Sequence, residues 1–99
     1  MSALAGLTDE ALKAEIDSAR YFAAAAWNGA KRAARGRVEA KHHLAGPLTR
    51  GWIGYYQLHR LGLADEMRMY LSARALYRAR IAAATAELTR RRDQHRLAA

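Results

Sequence analysis

From Leu12 the apolar positions step by four and three residues through Ile16, Ala19, Ala23, Ala26, Ala30 and Ala33, the spacing of a single stripe along one helix. The stripe is bulky at its start and nearly all alanine afterwards, so a second helix can approach closely along it. Thr8 precedes it as an N-cap. Asp9 and Glu10 follow in the first turn, where acid opposes the helix dipole, and Leu7 is spaced to staple against Leu12. Tyr21, Phe22 and Trp27 flank the stripe and are expected to be core or interface aromatics. Gly29 and Gly36 each cost about 1 kcal/mol relative to alanine inside a helix. The pattern therefore predicts a break at Gly36, with a further helical segment to about Leu44. Arg37 and Lys41 fall on the continuation of the stripe, so the first packing surface is expected to stop near Ala34.

The Leu44-Ala-Gly-Pro47 segment is a stop signal, because proline disfavours helical geometry in the residue before it. On a helical wheel of 47–61, Leu48, Gly51, Trp52, Gly54, Tyr55, Tyr56, Leu58, His59 and Leu61 cover more than half the circumference. Only a strip of Arg50, Ile53, Gln57 and Arg60 remains. A helix apolar over so much of its surface is normally surrounded by neighbours. Gly62 then stands as a C′ residue, and Asp65 with Glu66 opens a last helix near Ala64. Met67, Tyr70, Leu71, Tyr77, Ile81 and Leu88 form the apolar face of this helix, with Arg74 and Arg78 inside the same arc. The expected fold is all-α: a compact bundle of three to four helices, with a buried central helix over about 47–61 between two longer ones. Trp52 and Tyr55 would lie in its core. The chain reads as one helical domain over 1–99, with 1–7 and about 92–99 frayed.

Composition sharpens this picture. A chain of 99 residues suits a single modest core. About a quarter of it is alanine and β-branched residues are few, which favours helix. There is no cysteine, hence no disulfide and no thiolate metal site, and a reducing cytoplasm is expected. The first ten residues lack the basic and apolar regions of a signal peptide, and Phe22 to Trp27, the longest apolar run, is far short of the roughly 20 residues of a membrane span.

The net charge of +8 is uneven: residues 1–30 hold two basic and four acidic groups, 31–60 seven and one, and 61–99 eight and four. Fourteen of the seventeen basic residues are arginine, which suits bidentate contact with phosphate or carboxylate, although a GC-rich genome also enriches alanine and arginine. Lys31, Arg32 and Arg35 share one helix face, Arg74 and Arg78 form an i, i+4 column, and Arg92 and Arg96 return to that face of a continuous helix. With Arg50, Arg60, Arg90 and Arg91, these are the candidate residues for nucleic acid or another anionic partner. A solvated face accounts for the first cluster. Arg74 and Arg78 interrupt an apolar arc, which implies pairing with acid or an interface.

Other chemistry finds little footing. His42 and His43 are adjacent, about 100° apart on a helix, and do not converge on one ion. His59 reads as a packed histidine, and no metal or cofactor is expected. No nucleophile elbow, phosphate loop or convergent carboxylate pair is present, so no enzyme is expected. Leu58 to Met67, LHRLGLADEM, resembles the turn of a helix-turn-helix, although Arg68 stands where that motif has an inward apolar residue. A plain corner between two helices explains it as well.

The expected function is a small, non-enzymatic, basic protein that binds nucleic acid or a nucleoprotein complex. The alternative is a phage or mobile-element inhibitor or adaptor, of anti-CRISPR or other anti-defence type, that docks on an acidic surface of a larger protein machine. A homodimer is also expected, because a chain this small has both an alanine stripe and an arginine-bearing apolar face to cover.

Overall fold

The computed structural model describes residues 3–47 and 50–98, together with the backbone but not the side chain of Arg50. A short 3-10 helix over Ala3–Gly6 precedes helix α1, Asp9–Leu44, and helix α2, Arg50–Ala98. Among the described residues there is no strand. The architecture is therefore two long helices, and the expected compact bundle of three to four helices is wrong.

Helix α1 begins where its cap predicts: the Ala11 backbone N–H donates to Thr8 Oγ1 at 3.1 Å. It ends at Leu44, three residues before Pro47, with the Ala45 N–H donating to Lys41 O at 3.1 Å. Between these ends it does not break at Gly36. The stripe continues through Arg37, Ala40 and Leu44 in unbroken steps of four and three, and Ala40 is only 1% exposed.

Helix α2 carries a matching series: Ile53, Tyr56, Arg60, Leu63, Met67, Tyr70, Arg74, Tyr77, Ile81, Ala84, Leu88 and Arg91, all buried or half-buried. Alternating steps of three and four give a mean repeat of 3.5 residues, the spacing of a coiled-coil seam. The series passes straight through Gly62, and no described glycine has positive φ. Gly62 is thus an internal helix position rather than a C′ residue. The Leu58–Met67 stretch contains no turn, so both the helix-turn-helix resemblance and the plain corner fall away.

The chain divides into two units, 1–24 with 74–99 and 25–73, and both helices run through each. In the first unit the two helices run in opposite directions, as Asp9 meets Arg91, Glu15 meets Arg80 and Phe22 stacks on Tyr77. Here α1 supplies the bulk and α2 the small residue: Leu12 and Ile16 close on Ala84, with Leu4, Ile81 and Leu88 around them. Leu12 is fully buried, which contributes about 1.5–3 kcal/mol.

In the second unit the roles reverse. Ala26, Ala30, Ala33 and Ala40 are buried on α1, and α2 supplies the large side chains. The Tyr70 ring lies against Gly29, where a Cβ would come within 2.6 Å of it, and Leu63 lies against Gly36, where the distance would be 2.9 Å. These two glycines serve close approach and do not end the helix.

The reversal also corrects the wheel of 47–61. A single partner helix covers one stripe, and the stripe it covers is the one holding Ile53 and Arg60. Trp52 and Tyr55 are 55% and 54% exposed instead of buried in a core, and Leu58 and Leu61 are more exposed still. Leu48 lies outside the described residues.

A candidate anion-binding groove

The seam of the second unit contains two positions that break its apolar pattern, Arg37 on α1 and Arg60 on α2. Both are half-buried because the 3.5-residue repeat puts their backbones where alanine and leucine stand in neighbouring turns. Their aliphatic stems can cover the seam while their charged ends reach its edge. They open with Lys41, Ala34 and Val38 onto one cavity of about 290 Å³. No carboxylate lines it. Arg37, Lys41 and Arg60 form no ion pair among the described residues, and Arg37 Nε is buried without a hydrogen-bond partner. A buried guanidinium N–H without an acceptor is costly, and three like charges around one opening raise that cost. An anion bound at the opening would relieve the repulsion among the three charges.

The sequence candidates distribute differently. Lys31, Arg32 and Arg35 are exposed on α1, yet they do not share a groove. Lys31 borders an apolar cavity of about 240 Å³ with Trp27, Met67 and Leu71, its ammonium 5.9 Å from the Trp27 ring. Arg32 borders a separate, partly polar cavity with Leu63, Glu66 and Tyr70. Arg74 is half-buried in the α2 seam, whereas Arg78 is exposed. The side chain of Arg50 lies outside the described residues.

Near the end of α2, Arg91 holds the first unit together, while Arg90 pairs within the helix. Arg90 donates from Nε and Nη2 to the two Glu87 carboxylate oxygens, at 2.9 and 2.6 Å. Arg91 donates to Glu87 at 2.9 Å, to Asp9 at 2.8 Å, and to the carbonyls of Leu4 and Ala5 at 3.1 and 3.3 Å. One side chain thereby ties the 3-10 helix and the start of α1 to α2. Hydrogen bonds from Arg90 and then Arg91 hold the Glu87 carboxyl down at about 2 from 4.5. Arg92 is 3.7 Å from Asp93, and Arg96 is exposed.

Sequence reasoning missed Arg37 and Lys41 as site residues, taking them for the end of the packing surface. The signal was the unbroken spacing 30, 33, 37, 40 on one helix and 53, 56, 60, 63 on the other, which sets two arginines within facing seams. It also missed an aromatic cluster beside the turn between the helices. His43 stacks on Tyr56 with centroids 4.7 Å apart and planes at 12°. Trp52 and Tyr55 pack around Tyr56 at 6.1 and 5.2 Å, and His59 lies parallel to Tyr55 at 5.8 Å. Comparison of the chain with protein families, with curated proteins and with solved structures finds no match.

Proposed function

We propose that the protein is a non-enzymatic basic binding protein whose partner is nucleic acid or a nucleoprotein complex, gripped through Arg37, Lys41 and Arg60. The observation that carries this reading is the acid-free groove, in which three cations converge and one guanidinium N–H is buried without an acceptor. A phosphate group at this opening neutralises the three charges, and the planar guanidinium fork suits it. The second unit carries eight basic and three acidic residues, a net +5, against nine and six, a net +3, in the first. Long-range attraction of a polyanion thus favours the unit that holds the groove. The lack of cysteine fits a cytoplasmic setting, and among the described residues no helix is long and apolar enough to cross a membrane.

The test is affinity for a generic oligonucleotide across a salt series, with wild type beside Arg37→Gln/Arg60→Gln. Wild type should bind with log K falling linearly against log salt, and the double variant should flatten that slope by about 0.7–0.9 per lost phosphate contact. Equal affinity and equal slope in the two proteins would remove the groove from the function.

A second reading, an inhibitor or adaptor docking on a larger protein machine, draws on a different observation. Leu58, Leu61 and Met69 on α2 are 61–71% exposed within the second unit, and exposed apolar residues in one region mark protein-binding surfaces. A partner recovered from nuclease-treated lysate and lost on Leu58→Glu, with the arginine variants still binding it, would favour this reading.

A further inference from the structure

We infer that two copies of the chain associate through a second seam, on the face of α2 opposite its inner series, with their α2 helices antiparallel. The inference goes beyond the anion groove and does not depend on what that groove binds. Along α2 a second series runs in the same alternating steps of three and four as the first. In the second unit it passes through Tyr55, Leu58, Gly62, Asp65, Met69 and Ser72, and in the first through Leu76, Ala79, Ala83 and Ala86. Every one of these residues is exposed, whereas every member of the inner series is buried or half-buried. One partner helix accounts for one 3.5-residue repeat, so a second repeat on the far side of the same helix calls for a second helix.

Charge separates this face from an ordinary solvated one. Together with the flanking positions 61, 68, 75 and 82, the stripe holds only two charged residues, Asp65 and Arg68, and they pair with each other at 3.5 Å. The corresponding positions of α1 hold Glu10, Asp17, Lys31, Arg32, Arg35 and Glu39, all exposed. In a chain of net charge +8, a face without net charge is where a second copy can approach without like charges meeting.

The order of the side chains selects the second copy and its direction. The stripe is bulky near its start and all alanine at its end, the same contrast by which α1 and α2 fit each other. An antiparallel two-fold axis beside Met69 sets Tyr55 opposite Ala83 of the second copy, Leu58 opposite Ala79 and Leu76 opposite Gly62. Each large side chain then meets a small one, as Tyr70 meets Gly29 within the chain. Asp65 falls opposite Ser72, a hydroxyl donor for its carboxylate. Parallel copies instead bring each residue against itself, which sets Asp65 on Asp65 and leaves gaps between facing alanines. The complement of this stripe is thus the stripe itself, reversed.

The experiment follows the full chain by sedimentation up to high micromolar concentration, at low and at high salt. Wild type should form a dimer and no larger species, and should do so more readily at high salt, which screens the repulsion between two chains of charge +8. Ala79→Glu places an unpaired charge in the seam and should weaken the dimer about tenfold or more. Its helix content by circular dichroism should be unchanged, because Ala79 is exposed within a single chain. The chain has no cysteine, so introduced ones report direction. Under mild oxidation Leu58→Cys/Ala79→Cys should yield a covalent dimer, and Leu58→Cys alone should not. Cross-linking by Leu58→Cys alone would make the copies parallel and overturn the inference. A dimer that dissociates as salt rises, or one that Ala79→Glu leaves intact, would overturn it as well. So would a wild type that stays monomeric, and the stripe would then pass to a helix of another protein.

Discussion

Gly29 and Gly62 both sit inside continuous helix, yet a methyl group added at each meets opposite surroundings. At Gly62 nothing lies within 4 Å, so Gly62→Ala should gain about 1 kcal/mol from helix propensity alone. At Gly29 the methyl would overlap the Tyr70 ring, and Gly29→Ala should cost about 1–3 kcal/mol despite the same propensity gain. Urea unfolding of the two variants should shift in opposite directions, and a stabilised Gly29→Ala would show that the helices do not approach as described. Glu87 has a comparably local signature. Its carboxyl, held at about 2 by Arg90 and Arg91, lies below its unfolded value of 4.5, so its contribution is complete above about pH 4.5 and drains away as pH falls toward 2. The melting-temperature gap between wild type and Glu87→Gln should therefore be widest near neutrality and close over that interval. A gap independent of pH would disconnect the carboxylate from stability.

At the scale of the helix, alanine on α1 is a spacing requirement. Ala33 is 3% exposed in the seam, so Ala33→Leu should overpack it at a cost of about 1–3 kcal/mol, while Ala75→Leu on the exposed side of α2 should change little. Equal denaturation midpoints for these two would contradict the seam. Trp52→Ala, which a buried ring would make severe, should cost less than about 1 kcal/mol, because the ring stands in solvent. The first helix was largely legible from residues alone: the Thr8 cap, the stripe from Leu12 to Ala33 and the stop before Pro47 all follow from short-range rules. The second helix was not. Gly62 imitates a helix end, and a fifteen-residue wheel over 47–61 cannot reveal which of several apolar faces a single partner will cover. Only the longer count, 53 through 91 in steps of three and four, separates the seam from its surroundings, and three of its members, Arg60, Arg74 and Arg91, are arginines that an apolar criterion discards. The basic groove was illegible for that same reason.

Taken whole, the molecule covers the α1 stripe with its own second helix, so an alanine seam in need of a partner no longer argues for a homodimer. What remains for self-association is the outer apolar surface of α2. Sedimentation at high micromolar concentration should show reversible association, and Leu58→Glu/Leu61→Glu should return the protein to monomer; a wild type that stays monomeric would end the proposal. In the second unit, facing pairs recur every seven residues along both helices, with Gly29 against Tyr70, Gly36 against Leu63 and His43 against Tyr56. Length along such a seam is a modular quantity. Excising 30–36 together with 63–69 removes one full repeat from each helix and brings Gly29 and Tyr70 next to Arg37 and Gly62 with every remaining pair in phase. Excising either segment alone slides one helix past the other by two turns and sets bulky residues against bulky ones. The double excision should fold as a shorter helical protein that keeps its turn and aromatic cluster, and each single excision should melt at a lower temperature than the double.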